Sequence, residues 1–333
     1  MTAENEKSLA TGTDVPASYF GIVLGIAGLG SAWRAAHRVW GLPAIWGELL
    51  MLLAVAIWAA FVLGYLAKWI FSRDAALAET EHPVQCCFVG LIGVSTSLMA
   101  LNTAPYFPIL AEFLFISGAL YTLAFGLWRT GLLWRGGRDP NTTTPVLYLP
   151  LVAGAFVTAT AAAALGYAEW GQLAFGAGLF AWLAIESVLL HRLYNFASLP
   201  PALRPLLGIQ LAPPAVGAVA YLGVSGASPD LVARALIGYG LLQALLLLRM
   251  LPWIMEQPFT LSYWAFTFGA TALATAALRM IELGEAGAVA RLAPYLFIAG
   301  NLTVGVIALG TLRLIGRHVA ALRYENSRSS HAS

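Results

Sequence analysis

Residues 262–280 read SYWAFTFGATALATAALRM. Up to Arg279 the stretch carries no charge, and it sets bulk beside near-absence of side chain. Phe266 and Phe268 flank Thr267, Gly269 follows, and Ala and Thr fill the turns beyond. At about 1.5 Å per residue such a helix reaches across most of a hydrocarbon core of about 30 Å. A helix facing lipid has no use for the small residues, whereas one beside a narrow lumen has use for both sizes. The two phenylalanines lie two residues apart, roughly 200° round a helix, so they cannot face the same lumen.

The rest of the chain is of the same kind. Of its 333 residues 59% are hydrophobic and 10% charged, against about 25% charged in a soluble domain; the mean hydropathy is +0.77. The fold class read from this is an all-α polytopic membrane protein. Ten apolar runs have the length of a membrane crossing: 16–33, 45–69, 84–101, 109–128, 146–166, 173–193, 206–224, 231–250, 261–278 and 294–315. They divide the chain into a tail over 1–15, a transmembrane domain over 16–316 and a second tail over 317–333. The N-terminal stretch MTAENEKSLATGTDVPA has acids and no basic region ahead of a short apolar core, unlike a secretory signal peptide.

Sidedness follows from the cations. Thirteen of the eighteen Lys and Arg fall in the two tails and in the links after the second, fourth, sixth and eighth runs. Only Arg34, Arg38, Arg234, Arg279 and Arg291 fall on the other side. The positive-inside rule then places both termini in the cytoplasm, of a bacterial inner membrane on the reading below. Links on the far side are mostly short, which joins antiparallel neighbours, so the ten helices read as five hairpins. A Pro precedes each odd helix (Pro16, Pro83, Pro145, Pro205, Pro258) at intervals of 67, 62, 60 and 53 residues. That is a degenerate repeat, consistent with hairpins set around one axis.

Odd and even helices differ. The odd ones carry the backbone breakers, including Gly21 and Gly25, Gly93, Pro150 and Gly154, Pro213 and Gly269. The even ones are rich in Leu and Trp and bear Glu48, Glu112, Glu186 and Arg249, whose partners the sequence does not reveal. Small residues permit close helix packing wherever they occur, but their concentration in alternate helices points to an inner ring of odd helices lining a pore.

Several stretches resemble a known family: PASYFGIVLGIAGLGSAW, HPVQ, TTPVLYLPLVAGAF, FGAGLFAWLAIES, LGIQLAPPAV, GYGLLQALLLLRMLPW and WAFTFGATALATAAL. They are similar to the TehA tellurite-resistance and dicarboxylate transporter family, the bacterial relatives of plant slow-type anion channels. The resemblance runs from Pro16 to the tenth helix. It implies five hairpins in quasi-fivefold arrangement, a central pore lined by odd helices in each subunit of a homotrimer, and anion permeation. It implies that Phe268 occludes the pore, that Gly21 faces it and that Pro150 and Pro213 kink the wall. The chain departs from the family pattern at Ser187, after Glu186, and at Val23; both replace a proline found in relatives.

Without the resemblance, Phe268 reads more readily as a packing aromatic, the usual role of Phe, than as a gate. Gly269, Thr271 and Ala272 beside it leave room for a blocking ring. Between their ends the odd helices hold no Asp, Glu, Lys, Arg or His, so proton relays of the kind carriers use are missing and passive permeation is favoured. Candidate donors to an anion are Ser95, Thr96, Ser97, Thr158, Thr160, Thr267 and Thr271, with Arg residues at the mouths adding a favourable field. The alternative is a secondary carrier of dicarboxylates or an exporter of tellurite. Adjacent Cys86 and Cys87 read as buried free thiols, since a zinc site needs spaced ligands. The five His are dispersed and no enzyme constellation, metal site or cofactor motif is present. With a net charge of +2 no nucleic-acid surface is implied; the partners expected are small anions, the bilayer and further copies of the chain.

Overall fold

The computed structural model describes residues 15–226 and 228–331, so the expected N-terminal tail lies almost wholly outside the described residues. Ten helices are long and apolar enough to cross a membrane: α1 (Ala17–Trp40), α2 (Ala44–Phe71), α3 (Cys86–Thr103), α4 (Pro108–Trp134), α5 (Pro145–Ala164), α6 (Ala168–Asn195), α7 (Pro201–Ser225), α8 (Leu231–Ile254), α9 (Leu261–Glu282) and α10 (Ala288–Ala321). There is no strand among the described residues. Each apolar run falls on one of these helices, and most helices extend beyond it. Apolarity ends near the hydrocarbon boundary, but backbone hydrogen bonding continues past it. Thus α1 runs on through Arg34 and Arg38, and α10 continues as helix to His331, well into the stretch read as a tail from 317.

The links after odd helices are tight. Gly41 and Gly284, at φ 69° and 97°, turn the chain where a side chain would be strained. The link after α2 is longer and folds into a short helix, Arg73–Glu81. Its Glu79 accepts from Lys68 Nζ at 2.9 Å and from Ala17 N at 2.8 Å, tying the end of α2 to the start of α1.

Odd and even helices differ in backbone as well as composition. Four odd helices open with a tight 3₁₀ turn or run: Ala17–Tyr19, Pro145–Tyr148, Pro201–Leu211 and Leu261–Phe266. The fifth, α3, breaks at Gly90. In α5 the missing N–H of Pro150 falls within a widened π-helical turn, Leu149–Ala153. In α7 the α-helical half starts at Ala212, so Pro213 and Pro214 occupy its first turn, where no N–H is required. All five odd helices are then regular in their second halves.

Burial separates the two sets. Over their apolar windows the odd helices are 67–78% buried and the even helices 17–33%. Contacts run α1 to α3, α3 to α5, α5 to α7, α7 to α9 and α9 back to α1, so the odd helices close a circuit. Each even helix packs on its hairpin partner and on the next odd helix, with α10 reaching α1.

Small residues set the spacing. A Cβ on Gly25 would lie 2.2 Å from Thr267 Oγ1, and one on Gly154 would lie 1.9 Å from Thr122 Cγ2. On Gly93 it would meet Thr122 Oγ1 at 2.5 Å. On Gly269 it would meet Leu211 Cβ at 2.8 Å and the backbone nitrogen of Ala212 at 2.9 Å. Backbone cannot swing aside as a side-chain end can. Gly269→Ala is therefore expected to cost about 1–3 kcal/mol by overpacking and to lower the melting temperature of the purified protein in detergent. Gly131→Ala is the control, because nothing lies within 4 Å of a Cβ there; equal melting of the two variants would refute the close approach.

Candidate permeation site

Two cavities lie inside the circuit. The larger holds about 1030 Å³, its open mouth included, and is bounded by the irregular first halves of all five odd helices. Gly21 and Ile22 come from α1, Phe88 and Leu91 from α3, Val152 and Phe156 from α5, Ala212 and Pro213 from α7, and Leu261 and Ala265 from α9. The smaller holds about 400 Å³ and is bounded by the regular second halves of the same helices, with Gly28, Leu98, Val157, Val219 and Ala272 among its walls. Phe268 and Val216 border both cavities. The walls are mostly apolar, and neither set of lining residues includes an Asp, Glu, Lys, Arg or His.

The lumen face of α9 follows helical spacing. Leu261, Ala265, Phe268, Ala272 and Thr275 border the cavities. Phe266 points elsewhere: it stacks on Tyr263 with centroids 6.3 Å apart and would lie 2.6 Å from a Cβ on Gly208 of α7. A Cβ on Gly28 of α1 would meet the Phe268 ring at 3.3 Å, so the ring rests against a glycine.

Of the residues read as pore-lining, Gly21 and Pro213 border the larger cavity together with Phe268. Gly25, Gly93, Gly154, Gly269 and Thr271 lie instead in contacts between helices, behind the wall. Pro150 packs against Gly90 and Gly126, while its neighbours Leu149 and Val152 reach the cavity. Sequence reasoning passed over Gly28, which lies seven residues, two helical turns, beyond Gly21 and so on the same face. Ser31 and Thr275, polar walls of the smaller cavity, were also missed.

The hydroxyl donors are mostly engaged. Ser95 and Thr96 donate to Ile92 O, Thr160 to Phe156 O, Thr267 to Trp264 O and Thr271 to Thr267 O. Thr275 donates to Thr271 O. Their protons bond their own helices, so what Thr160 and Thr275 offer the lumen is oxygen lone pairs. Of the arginines grouped with Arg34, Arg234 pairs with Glu285 at 2.7 Å and Arg279 comes within 3.9 Å of Glu282. Arg34 holds Glu48 in a two-pronged pair at 2.7 and 2.8 Å, and Arg38 holds Glu282 at 2.7 Å.

Among the even-helix charges, Glu48 accepts Arg34, and Glu112 and Arg249 face outward. Glu186 is buried on α6 and acts as a hub. It accepts from the hydroxyl of Tyr148 of α5, from Trp182 Nε1 at 2.9 Å and from Tyr239 of α8 at 2.7 Å; Gln243 Nε2 lies at 3.4 Å. Tyr148 itself borders the larger cavity. One wall residue is thereby tied through a carboxylate to two outer helices.

Residues 14–312 match the model of the voltage-dependent anion channel family, SLAC1. The chain is 36% identical to the tellurite resistance protein TehA homolog of Haemophilus influenzae, with 90% of each chain covered. It is 28% identical to the S-type anion channel SLAH2 of Arabidopsis thaliana, over 88% of this chain and 57% of the relative. An uncharacterized transporter of Methanocaldococcus jannaschii is 25% identical over 64% of this chain and 68% of its own.

Removing the Glu186 carboxylate tests the tether on Tyr148. Glu186→Ala leaves two buried donors, Tyr148 and Trp182, and the half-buried Tyr239 hydroxyl without this acceptor, each buried one worth about 1–3 kcal/mol, and is expected to lower thermal stability more than Glu186→Gln, which keeps one acceptor oxygen. Melting curves of the two variants that coincide with the parent's would show that the hub contributes nothing.

Proposed function

Since this chain belongs to the voltage-dependent anion channel family, we propose that it is an anion channel that conducts passively along the axis of its odd helices. The two cavities form the conduit, and the Phe268 ring, backed by Gly28, occludes it. The observation that carries the reading is that both cavities are bounded by all five odd helices and share only Phe268 and Val216. A ring across an apolar tube blocks ions sterically and by expelling water. The five hairpins stand in quasi-fivefold arrangement about this conduit, and three copies assemble as a trimer, each with its own pore. The protein resides in a bacterial inner membrane with both termini cytoplasmic, as the distribution of Lys and Arg supports. Likeness to the Haemophilus tellurite resistance protein TehA homolog supports a contribution to tellurite resistance.

Anion preference arises without a fixed cation in the lumen. All five odd helices run in the same sense, so the positive ends of their dipoles converge on the larger cavity, and no carboxylate borders it. A second reading, a carrier of dicarboxylates or of tellurite, has one observation in its favour: Glu186 lies a single hydrogen bond behind the cavity wall, at Tyr148.

Planar-bilayer recording of the reconstituted protein separates these readings, because unitary current steps without a coupling ion belong to a channel. Phe268→Ala is expected to raise the anion current by about tenfold or more, a barrier change of about 1.4 kcal/mol. Phe266→Ala is expected to leave it near the parent's. An unchanged current in Phe268→Ala removes the gate. The dipole field is weak and non-coordinating, so permeability should follow ease of dehydration, nitrate above chloride; the reverse order would require a binding site in the lumen.

A further inference from the structure

Away from the conduit, where α3 begins and α4 ends, the protein gathers two arginines that make no ion pair among the described residues. Helices α3 and α4 are antiparallel. Tyr121 donates to Val89 O at 3.3 Å, and Phe125 lies 3.2 Å from where a Cβ on Gly90 would be. One turn further along each helix, Arg129 comes level with Cys86 and Cys87. Arg138, from the following link, reaches the same place. It donates through Nη2 to Pro83 O at 3.1 Å and Thr142 O at 2.7 Å, and Cys86 Sγ lies 3.7 Å from that same Pro83 carbonyl. Both guanidinium groups act electrostatically on both thiols.

The donors here are largely unused. Arg129 Nε and Arg138 Nε and Nη1 are buried and have no hydrogen-bond partner, and neither does the hydroxyl of Thr144, two residues beyond Thr142. No carboxylate among the described residues pairs with either arginine. Asp139, the acid adjacent to Arg138, instead accepts from the backbone and side chain of Asn141. Burial and the like charge of Arg129 lower the Arg138 pKa from its ordinary value. Both side chains are half-buried, and three buried N–H nitrogens on two neighbouring guanidinium groups are left without an acceptor, a cost that a bound anion would relieve. Planar forks with spare N–H groups match the oxygens of a phosphate.

We propose that Arg129 and Arg138, with the Thr144 hydroxyl, form a binding site for a phosphate-type oxyanion at the end of the α3–α4 hairpin, separate from the conduit. The oxyanion is either free in solution or the head of an anionic lipid, since the site stands where the helices leave the apolar layer. The thiols of Cys86 and Cys87, both fully buried, form the apolar floor beneath it.

The full-length protein in phosphate-free detergent buffer tests this in two arms. In one, inorganic phosphate is titrated at constant ionic strength while melting is followed by tryptophan fluorescence. In the other, delipidated protein is incubated with phosphatidylglycerol and the retained lipid is counted by native mass spectrometry. At least one arm is expected to show saturable binding, weakened about tenfold or more in Arg129→Gln and in Arg138→Gln and unaltered in Phe268→Ala. Response to phosphate alone assigns a soluble anion, and retention of lipid alone assigns the headgroup. Binding that is absent in both arms, or equally strong in the two arginine variants, overturns the site. So does an Arg129→Gln variant that melts below the parent without either ligand, because removal of an unpaired buried charge should not destabilise the empty protein.

Discussion

Closure of the odd-helix circuit depends on the approach of α1 to α9, which joins the first and last hairpins. Gly25 and Gly28 lie against Thr267 and Thr271 so closely that a Cβ on either glycine would sit within 2.3 Å of a threonine oxygen. The approach is possible because each hydroxyl proton is already donated within α9, to Trp264 O and to Thr267 O. An oxygen whose proton is satisfied can rest on a bare glycine without leaving an unpaired donor. Apolar surface gains little by leaving lipid for protein, so such packing and a few hydrogen bonds must hold the helices together. Two of these reinforce the seam: Trp33 Nε1 to Asn301 at 2.9 Å and Trp264 Nε1 to Thr311 at 2.9 Å, both reaching α10. The position of Phe268 follows from the same contact, since its ring lies against Gly28 one turn from Thr271.

A closed circuit also explains where irregular backbone can occur. In hydrocarbon an unpaired carbonyl or amide costs several kcal/mol, so lipid-facing helices stay regular. The 3₁₀ and π turns, the break at Gly90 and the Pro213–Pro214 pair all belong to odd helices, whose surroundings are protein or cavity. The even helices, at most a third buried over their apolar windows, carry Pro only near their ends, at Pro108, Pro252 and Pro294. Composition and backbone therefore divide along the same line because both respond to one solvent.

That division is why the helix count, the hairpins and the inner-outer contrast could be read from apolar length and the placement of Gly and Pro. Helical phase was equally informative within one helix: it separates Phe266 from Phe268, and Phe266 indeed packs on Gly208 while Phe268 borders both cavities. Phase does not say which face meets which neighbour. Gly25 and Gly28 are three residues apart, yet Gly25 lies wholly in the α9 contact and Gly28 reaches the cavity. The hub at Glu186 joins residues 38 and 53 positions away in sequence, and no local pattern encodes that. Hydroxyls were misread for a related reason. A Thr in a helix appears as a donor in sequence, but its proton is within reach of the carbonyl three or four residues back, and in a dry interior it bonds there.

The fate of those hydroxyls bears on how the proposed conduit distinguishes ions. With their protons turned into the helix, Thr160 and Thr275 present lone pairs, which by themselves favour a cation. Arg34 and Arg38 do little to offset this, because each is matched by a glutamate. What remains is five helix dipoles of one sense with no carboxylate among the lining residues. On the proposed reading such a field acts only near the helix ends and coordinates nothing, so it would favour anions in the larger cavity without holding any of them. On that reading such a lumen separates anions only by their ease of dehydration, and control of flux falls to Phe268, which both cavities share with Val216.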